Sequence, residues 1–114
     1  MPDIDVTALD EELAAGASLV DVREPAEFAR AHVPGARLIP MSSLPARLNE
    51  LDRSRPVYVI CATGNRSGAM CNVLAAAGFD AVNVAGGTVA WIRSGRPVET
   101  GVQNRQDGGS SRLT

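Results

Sequence analysis

One short run of this chain carries residues equipped for covalent chemistry: Cys61-Ala62-Thr63-Gly64-Asn65-Arg66-Ser67. Thiols react as thiolates, and a free cysteine titrates near pH ~8.5. A helix N-terminus and a nearby cation bring such a group to roughly 3.5–7.5. Both aids lie within reach of Cys61. Four residues separate it from Arg66, so the loop can curl around a point and aim backbone N–H groups and a guanidinium at whatever sits above the sulfur. The product is an anion cradle with a nucleophile at its base. A thiolate attacks sulfur readily. A small anion held above the sulfur would be stabilised by the same amides.

The elements that must position this loop read directly from its flanks. Val57-Tyr58-Val59-Ile60 is an apolar, β-rich run delivering Cys61, and a small-residue helical segment from about Ser67 to Ala77 follows. Gly78 ends that helix, with Phe79 at the C″ position of a Schellman motif and in reach of Leu74. Strand, loop and helix in this order place Cys61 at a strand's C-terminal end, where α/β folds hold ligands.

From the N-terminus, Ile4 to Val6 reads as a short strand, and Thr7 is placed to cap a helix over Ala8 to Ala15, stopped by Gly16. Ser18 to Val22 is a second strand, closed by Arg23-Glu24-Pro25 and a short helix through Phe28. His32-Val33-Pro34-Gly35-Ala36 is turn chemistry leading to a strand at Arg37 to Ile39. Leu44, Leu48 and Leu51 repeat at i, i+4, i+7 and predict a helix capped by Ser42 or Ser43, and Asp52 to Pro56 is an exposed link. Ala81 to Val84 is the last strand, and Gly86-Gly87 turns into a helix carrying Val89, Trp91 and Ile92 up to Gly95. Strands alternating with helices at this spacing predict an α/β fold with a parallel sheet and helices on both faces.

With 114 residues, 45% of them apolar, the chain suits one domain with a proper core. We read residues 1–100 as that domain and 101–114, polar and without period, as a disordered C-terminal tail. A formal charge of −2 without a basic block excludes nucleic acid and anionic membrane as main partners, and no apolar window approaches a bilayer-crossing length. Two cysteines ten positions apart read as free thiols in a cytoplasmic protein. Absence of lysine removes Schiff-base chemistry, and one histidine with two cysteines does not complete a zinc site. No metal or organic cofactor is expected.

Four motifs, in order, resemble the single-domain rhodanese-like sulfurtransferases over roughly Ile4 to Val98. They are Asp21-Val22-Arg23-Glu24, Glu27-Phe28 through His32-Val33-Pro34-Gly35-Ala36, the Cys61 loop, and Gly86-Gly87 with Trp91. Ala31 stands where the family usually has glycine. The resemblance implies a rhodanese-like fold with a central five-stranded parallel sheet. It also implies a reaction: a sulfane sulfur moves from a small anionic donor such as thiosulfate onto Cys61, then to a thiophilic acceptor, whether cyanide, a small thiol or a protein. By the same resemblance Cys61 is the nucleophile, and Ala62, Thr63, Gly64, Asn65 and Arg66 form the substrate cradle. Ser67 caps the helix or donates to the bound sulfur. Related phosphatases have one more residue between Cys and Arg, which disfavours a phosphatase or arsenate reductase here. A rhodanese-like module that binds a protein or senses oxidation without turnover is the alternative.

Other chemistry-bearing residues read as scaffold. Asp21 and Arg23 brace the loop from the neighbouring strand end, Cys71 packs within a helix, His32 serves its turn, and Phe28 and Trp91 fill core or rim.

Overall fold

The computed structural model describes residues 2–102. Five parallel strands form its sheet: β1 (Asp3–Ile4), β2 (Ser18–Asp21), β3 (Arg37–Leu38), β4 (Val57–Ile60) and β5 (Ala81–Val84), in the order β1-β5-β4-β2-β3. Among the described residues, α1 (Val6–Ala14), α2 (Pro25–Arg30) and α3 (Asn65–Ala76) connect strands, and α4 (Gly87–Arg93) follows β5. The α/β class, the parallel sheet and its five strands agree with the sequence reading. No helix among the described residues is long and apolar enough to cross a membrane.

Strand β4 lies at the centre, and all four of its residues are buried. Alternation along it sorts side chains between two cores. Val57, Val59 and then Cys61 face the layer holding Met70, Cys71 and Leu74 of α3. Tyr58 and Ile60 face the opposite layer, with Leu9 of α1, Phe28 of α2 and Trp91 of α4. Fully burying side chains such as Leu9, Phe28 and Leu74 contributes about 1.5–3 kcal/mol each before the entropic cost of ordering them. Cys61 is therefore carried out of a strand buried at every position, which fixes its place before the loop adds anything.

The end of α3 is the Schellman motif that the sequence predicts. Phe79 N–H reaches the Leu74 carbonyl at 3.0 Å and Gly78 N–H the Ala75 carbonyl at 3.1 Å, with Phe79 packed in the Leu74 cluster. Several boundaries differ from expectation: β1 is Asp3–Ile4 rather than Ile4 to Val6, β2 and β3 each end one residue early, at Asp21 and Leu38, and α2 continues past Phe28 to Arg30. Asp5, not Thr7, caps α1: its carboxylate accepts from Ala8 N–H at 2.8 Å, so the helix begins at Val6. The leucine run after Ser43 is not an α-helix but two 3₁₀ turns, Leu44–Ala46 and Leu48–Glu50. Pro45 suits a first turn but supplies no N–H, and the tighter turns still send Leu44 fully into the core while Leu48 and Leu51 pack partly against it. Finally, α3 starts at Asn65, two residues before the expected Ser67.

After α4 the chain returns over α2. His32 and Glu99 exchange backbone hydrogen bonds at 2.9 Å, Trp91 Nε1 donates to the Pro97 carbonyl at 2.8 Å, and Gly101 N–H reaches the Ala29 carbonyl at 2.9 Å. The expected tail falls, from residue 103 onward, outside the described residues.

Candidate active site

Cysteine 61 stands immediately past the C-terminal end of β4, and Gly64, at φ +110°, turns the chain into α3. A residue with a Cβ would be strained at that dihedral, so glycine here lets a three-residue loop aim its amides back toward the sulfur. Gly64 N–H donates to Cys61 Sγ at 3.1 Å, and Ser67 Oγ lies 3.2 Å from the same atom. Because α3 starts at Asn65, Ser67 sits inside its first turn and is not the cap. Its buried hydroxyl faces the sulfur instead.

Two influences oppose each other at Cys61. Burial favours the neutral thiol, but the Ser67 hydroxyl and the amides of Ser67, Gly64 and Thr63 together outweigh it and draw the thiol below its ordinary range. Cys71, one core layer away, has the burial without those donors and is pushed up to about 11. The two thiols thus shift in opposite directions, because only the loop supplies donors to the sulfur.

The floor of the loop is supplied by α4. Cys61 carbonyl accepts from Thr88 N–H at 2.9 Å and from Thr88 Oγ1 at 3.1 Å, while Ala62 carbonyl accepts from Val89 N–H at 3.0 Å. This contact requires Gly87: a Cβ there would lie 2.5 Å from both carbonyl oxygens. The Gly86-Gly87 pair is therefore more than a turn. It lets a helix N-terminus pack directly against the loop backbone.

Arg66 reaches sideways from α3 to Glu27 of α2, with two hydrogen bonds at 2.7 and 2.9 Å. Glu27 is preset for this, since its Oε1 also accepts from Glu24 N–H at 3.0 Å in the first turn of α2. The hydrogen bonds from Arg66 overcome partial burial and hold the Glu27 carboxyl down to about 2. Thr63 and Asn65 are exposed at the rim, and Ala62 is half-buried.

Asp21 and Arg23 form a buried bidentate pair, Nη2 to Oδ2 at 2.8 Å, and Arg23 also donates to the Ala31 carbonyl at 2.8 Å. These bonds lock the end of β2 to the end of α2. The described bonds thus brace the helix bearing Glu27, where the sequence reading has the pair bracing the loop itself. A cleft of about 250 Å³ opens beside the loop, lined by Arg23, Glu27, Ala62 and Thr88 and by the apolar Val89 and Ile92. His32 and Phe28 lie away from the sulfur as structural partners, their rings stacked 3.6 Å apart, with His32 Nδ1 donating to the Phe28 carbonyl at 2.8 Å.

Sequence reasoning missed Asn83 altogether and assigned no separate role to Glu27 or Thr88. Asn83 has a signal in hindsight: it is the only polar side chain in the strand Ala81–Val84, and it is buried. Its carboxamide meets Ser67 at 2.5 Å and Gly64 carbonyl at 3.1 Å.

A rhodanese-like domain model matches residues 5–94. The chain is 38% identical over 99 residues to a sulfurtransferase of Allochromatium vinosum, covering 84% of this chain and 92% of that protein. It is 37% identical over 97 residues to the putative sulfurtransferase YtwF of Bacillus subtilis, covering 83% and 94%. Among solved structures, a rhodanese-related protein from Thermoplasma volcanium superposes with a TM-score of 0.83 at 36% identity, over 89% of this chain and all of the other. The parallel five-stranded α/β sheet with a cysteine loop at its central strand agrees with the rhodanese-like match. The chain belongs to the rhodanese-like domain family, and it has relatives named as sulfurtransferases.

Proposed function

We propose that the protein is a sulfurtransferase that carries a sulfane sulfur on Cys61. The observation that carries this reading is the convergence of the Gly64 amide and the Ser67 hydroxyl on Cys61 Sγ, at 3.1 and 3.2 Å. In the first step the thiolate attacks the outer sulfur of thiosulfate or a similar anionic donor. The new S–S bond forms as the donor's S–S bond breaks, and sulfite departs with the electron pair. Cys61 is left as a persulfide anion. In the second step cyanide, a thiol or a protein acceptor attacks the outer sulfur, and Cys61 leaves as thiolate. Neither step needs a metal or an external reductant.

Each loop residue has a role in this scheme. Backbone amides of Ala62 to Arg66 cradle the anion, Ser67 donates to sulfur, and Arg66, already aligned by Glu27, contributes positive charge at the rim. Asp21 and Arg23 support the site through α2. Two free thiols suit the reducing cytoplasm, where we place the protein.

Near-complete burial of Cys61, at 1% exposure, favours one second reading: a module that binds a partner or senses oxidation without turnover. Thiocyanate production from thiosulfate and cyanide separates the two. The sulfurtransferase reading expects saturable turnover that Cys61→Ser abolishes, with an organic persulfide or mercaptopyruvate as competing donors. A folded wild-type protein that turns over none of these donors leaves the non-turnover reading.

A further inference from the structure

Asn83 rises from β5 beneath the Cys61 loop and is 8% exposed, beside a fully buried Ser67. The orientation of its carboxamide is fixed by chemistry. Gly64 carbonyl can only accept, so Nδ2 must face it at 3.1 Å, which leaves Oδ1 facing Ser67 Oγ at 2.5 Å. In that pair Ser67 must be the donor. Yet the same Oγ lies 3.2 Å from Cys61 Sγ. A hydroxyl has one proton, and here two acceptors stand within its reach.

We infer that Asn83 is a positioning residue that competes with the Cys61 sulfur for the single hydroxyl proton of Ser67 and releases it when the sulfur becomes an anion. In the resting thiol the bonds run in one direction: Cys61 S–H to Ser67 Oγ, then Ser67 O–H to Asn83 Oδ1. When the thiol proton leaves to solvent, the first bond disappears and the hydroxyl turns to the thiolate. Asn83 Oδ1 gives up its donor at that moment. A neutral hydrogen bond is exchanged for a charge-assisted one, so the exchange is favourable only while the sulfur carries charge. The device makes Ser67's help conditional on ionisation, and it resists the thiolate form by the strength of the Asn83 bond.

This rests on the reading of Cys61 as the reactive thiol, and the experiment separates the two ideas. The charged groups around Cys61 are Arg66 on α3, Glu27 on α2 and Asp21 on β2 acting on that guanidinium, and Arg23 acting on Glu27; the neutral thiol of Cys71 on α3 lies nearby, with Asp3 of β1 acting on it. All are retained in every variant. The pH dependence of Cys61 alkylation by iodoacetamide, followed by mass on the full chain, gives its acidity. Asn83→Leu removes the competing acceptor at similar size and should make Cys61 about tenfold more acidic, the effect of releasing one neutral hydrogen bond. Ser67→Ala should make it less acidic, and Asn83→Leu added to Ser67→Ala should change nothing further. An equal shift with and without Ser67, or no shift, overturns the proposal.

The wild-type protein gives a second readout that does not depend on a variant folding. The ¹³Cγ resonance of Asn83 should titrate with the midpoint of Cys61 alkylation and stop doing so in Cys61→Ser; a flat resonance overturns the competition. Failure of the underlying reading looks different, because the alkylation midpoint of the wild type would then itself lie at an ordinary thiol value.

Discussion

Replacing Gly87 with alanine tests how firmly α4 supports the cysteine loop. The new Cβ would lie 2.5 Å from the carbonyl oxygens of Cys61 and Ala62 and 2.6 Å from the Ala62 carbonyl carbon. These are backbone atoms, so no side chain can swing aside. Moving them strains the hydrogen bonds from Thr88 N–H, Thr88 Oγ1 and Val89 N–H that hold both carbonyls. Alanine at φ +59° costs about 1–2 kcal/mol, overpacking a tight contact about 1–3, and loss of a neutral hydrogen bond about 1. The sum is about 3–6 kcal/mol, a large part of the roughly 5–15 kcal/mol that stabilises a domain of this kind. Gly35→Ala is the control, since φ is +87° there and a Cβ meets nothing within 4 Å, leaving only the dihedral cost. Urea denaturation followed by circular dichroism should find Gly87→Ala less stable than Gly35→Ala by about 2 kcal/mol or more, the steric and hydrogen-bond share of the sum. Displaced loop amides should also move Cys61 alkylation back toward ordinary thiol behaviour. Equal stability of the two variants with unchanged Cys61 reactivity would refute the reasoning.

Glu27 ties the cleft to acid stability. Its folded-state carboxyl lies at about 2, below the unfolded value near ~4.3, so its contribution is present in full above about pH 4.5 and is lost as pH falls toward 2. After allowance for solvent screening at this partly exposed pair, the amount is about 1 kcal/mol, and Glu27→Gln should remove that segment of the acid-denaturation curve. Arg66→Ala should raise the KM for thiosulfate about tenfold, and Arg66→Lys, which lacks the two-pronged donor, should recover little of it in a thiocyanate assay. Cys71, pushed up to about 11, should resist alkylation at pH 8 until the protein is unfolded, and Cys71→Ala should leave sulfur transfer within about twofold of wild type.

What the sequence discloses follows from how local the controlling physics is. The β4 run, the Schellman end of α3 and the limits of β5 are set by periodicity and by turn residues within a few positions of one another, and each is legible. The Leu44, Leu48, Leu51 spacing misleads because the pull of Leu44 into the core and Pro45's missing N–H, rather than period alone, decide the backbone. In the loop, residue types identify a thiol and its donors, but the partners that tune them come from distant strands and helices. Glu27 is 39 residues from Arg66, Thr88 is 27 from Cys61, and Asn83 is 16 from Ser67. Spacing along one chain carries no trace of those meetings. The clearance that Gly87 provides is likewise invisible until the loop and α4 are seen together.

The sulfur-carrier assignment is tested most directly by weighing the intact full-length protein after incubation with thiosulfate and again after addition of cyanide. The first spectrum should gain one sulfur atom, mapped to Cys61, and the second should return to the starting mass with one thiocyanate released per protein. A properly folded chain that keeps its original mass throughout, or that takes up sulfur equally well as Cys61→Ser, would contradict the account.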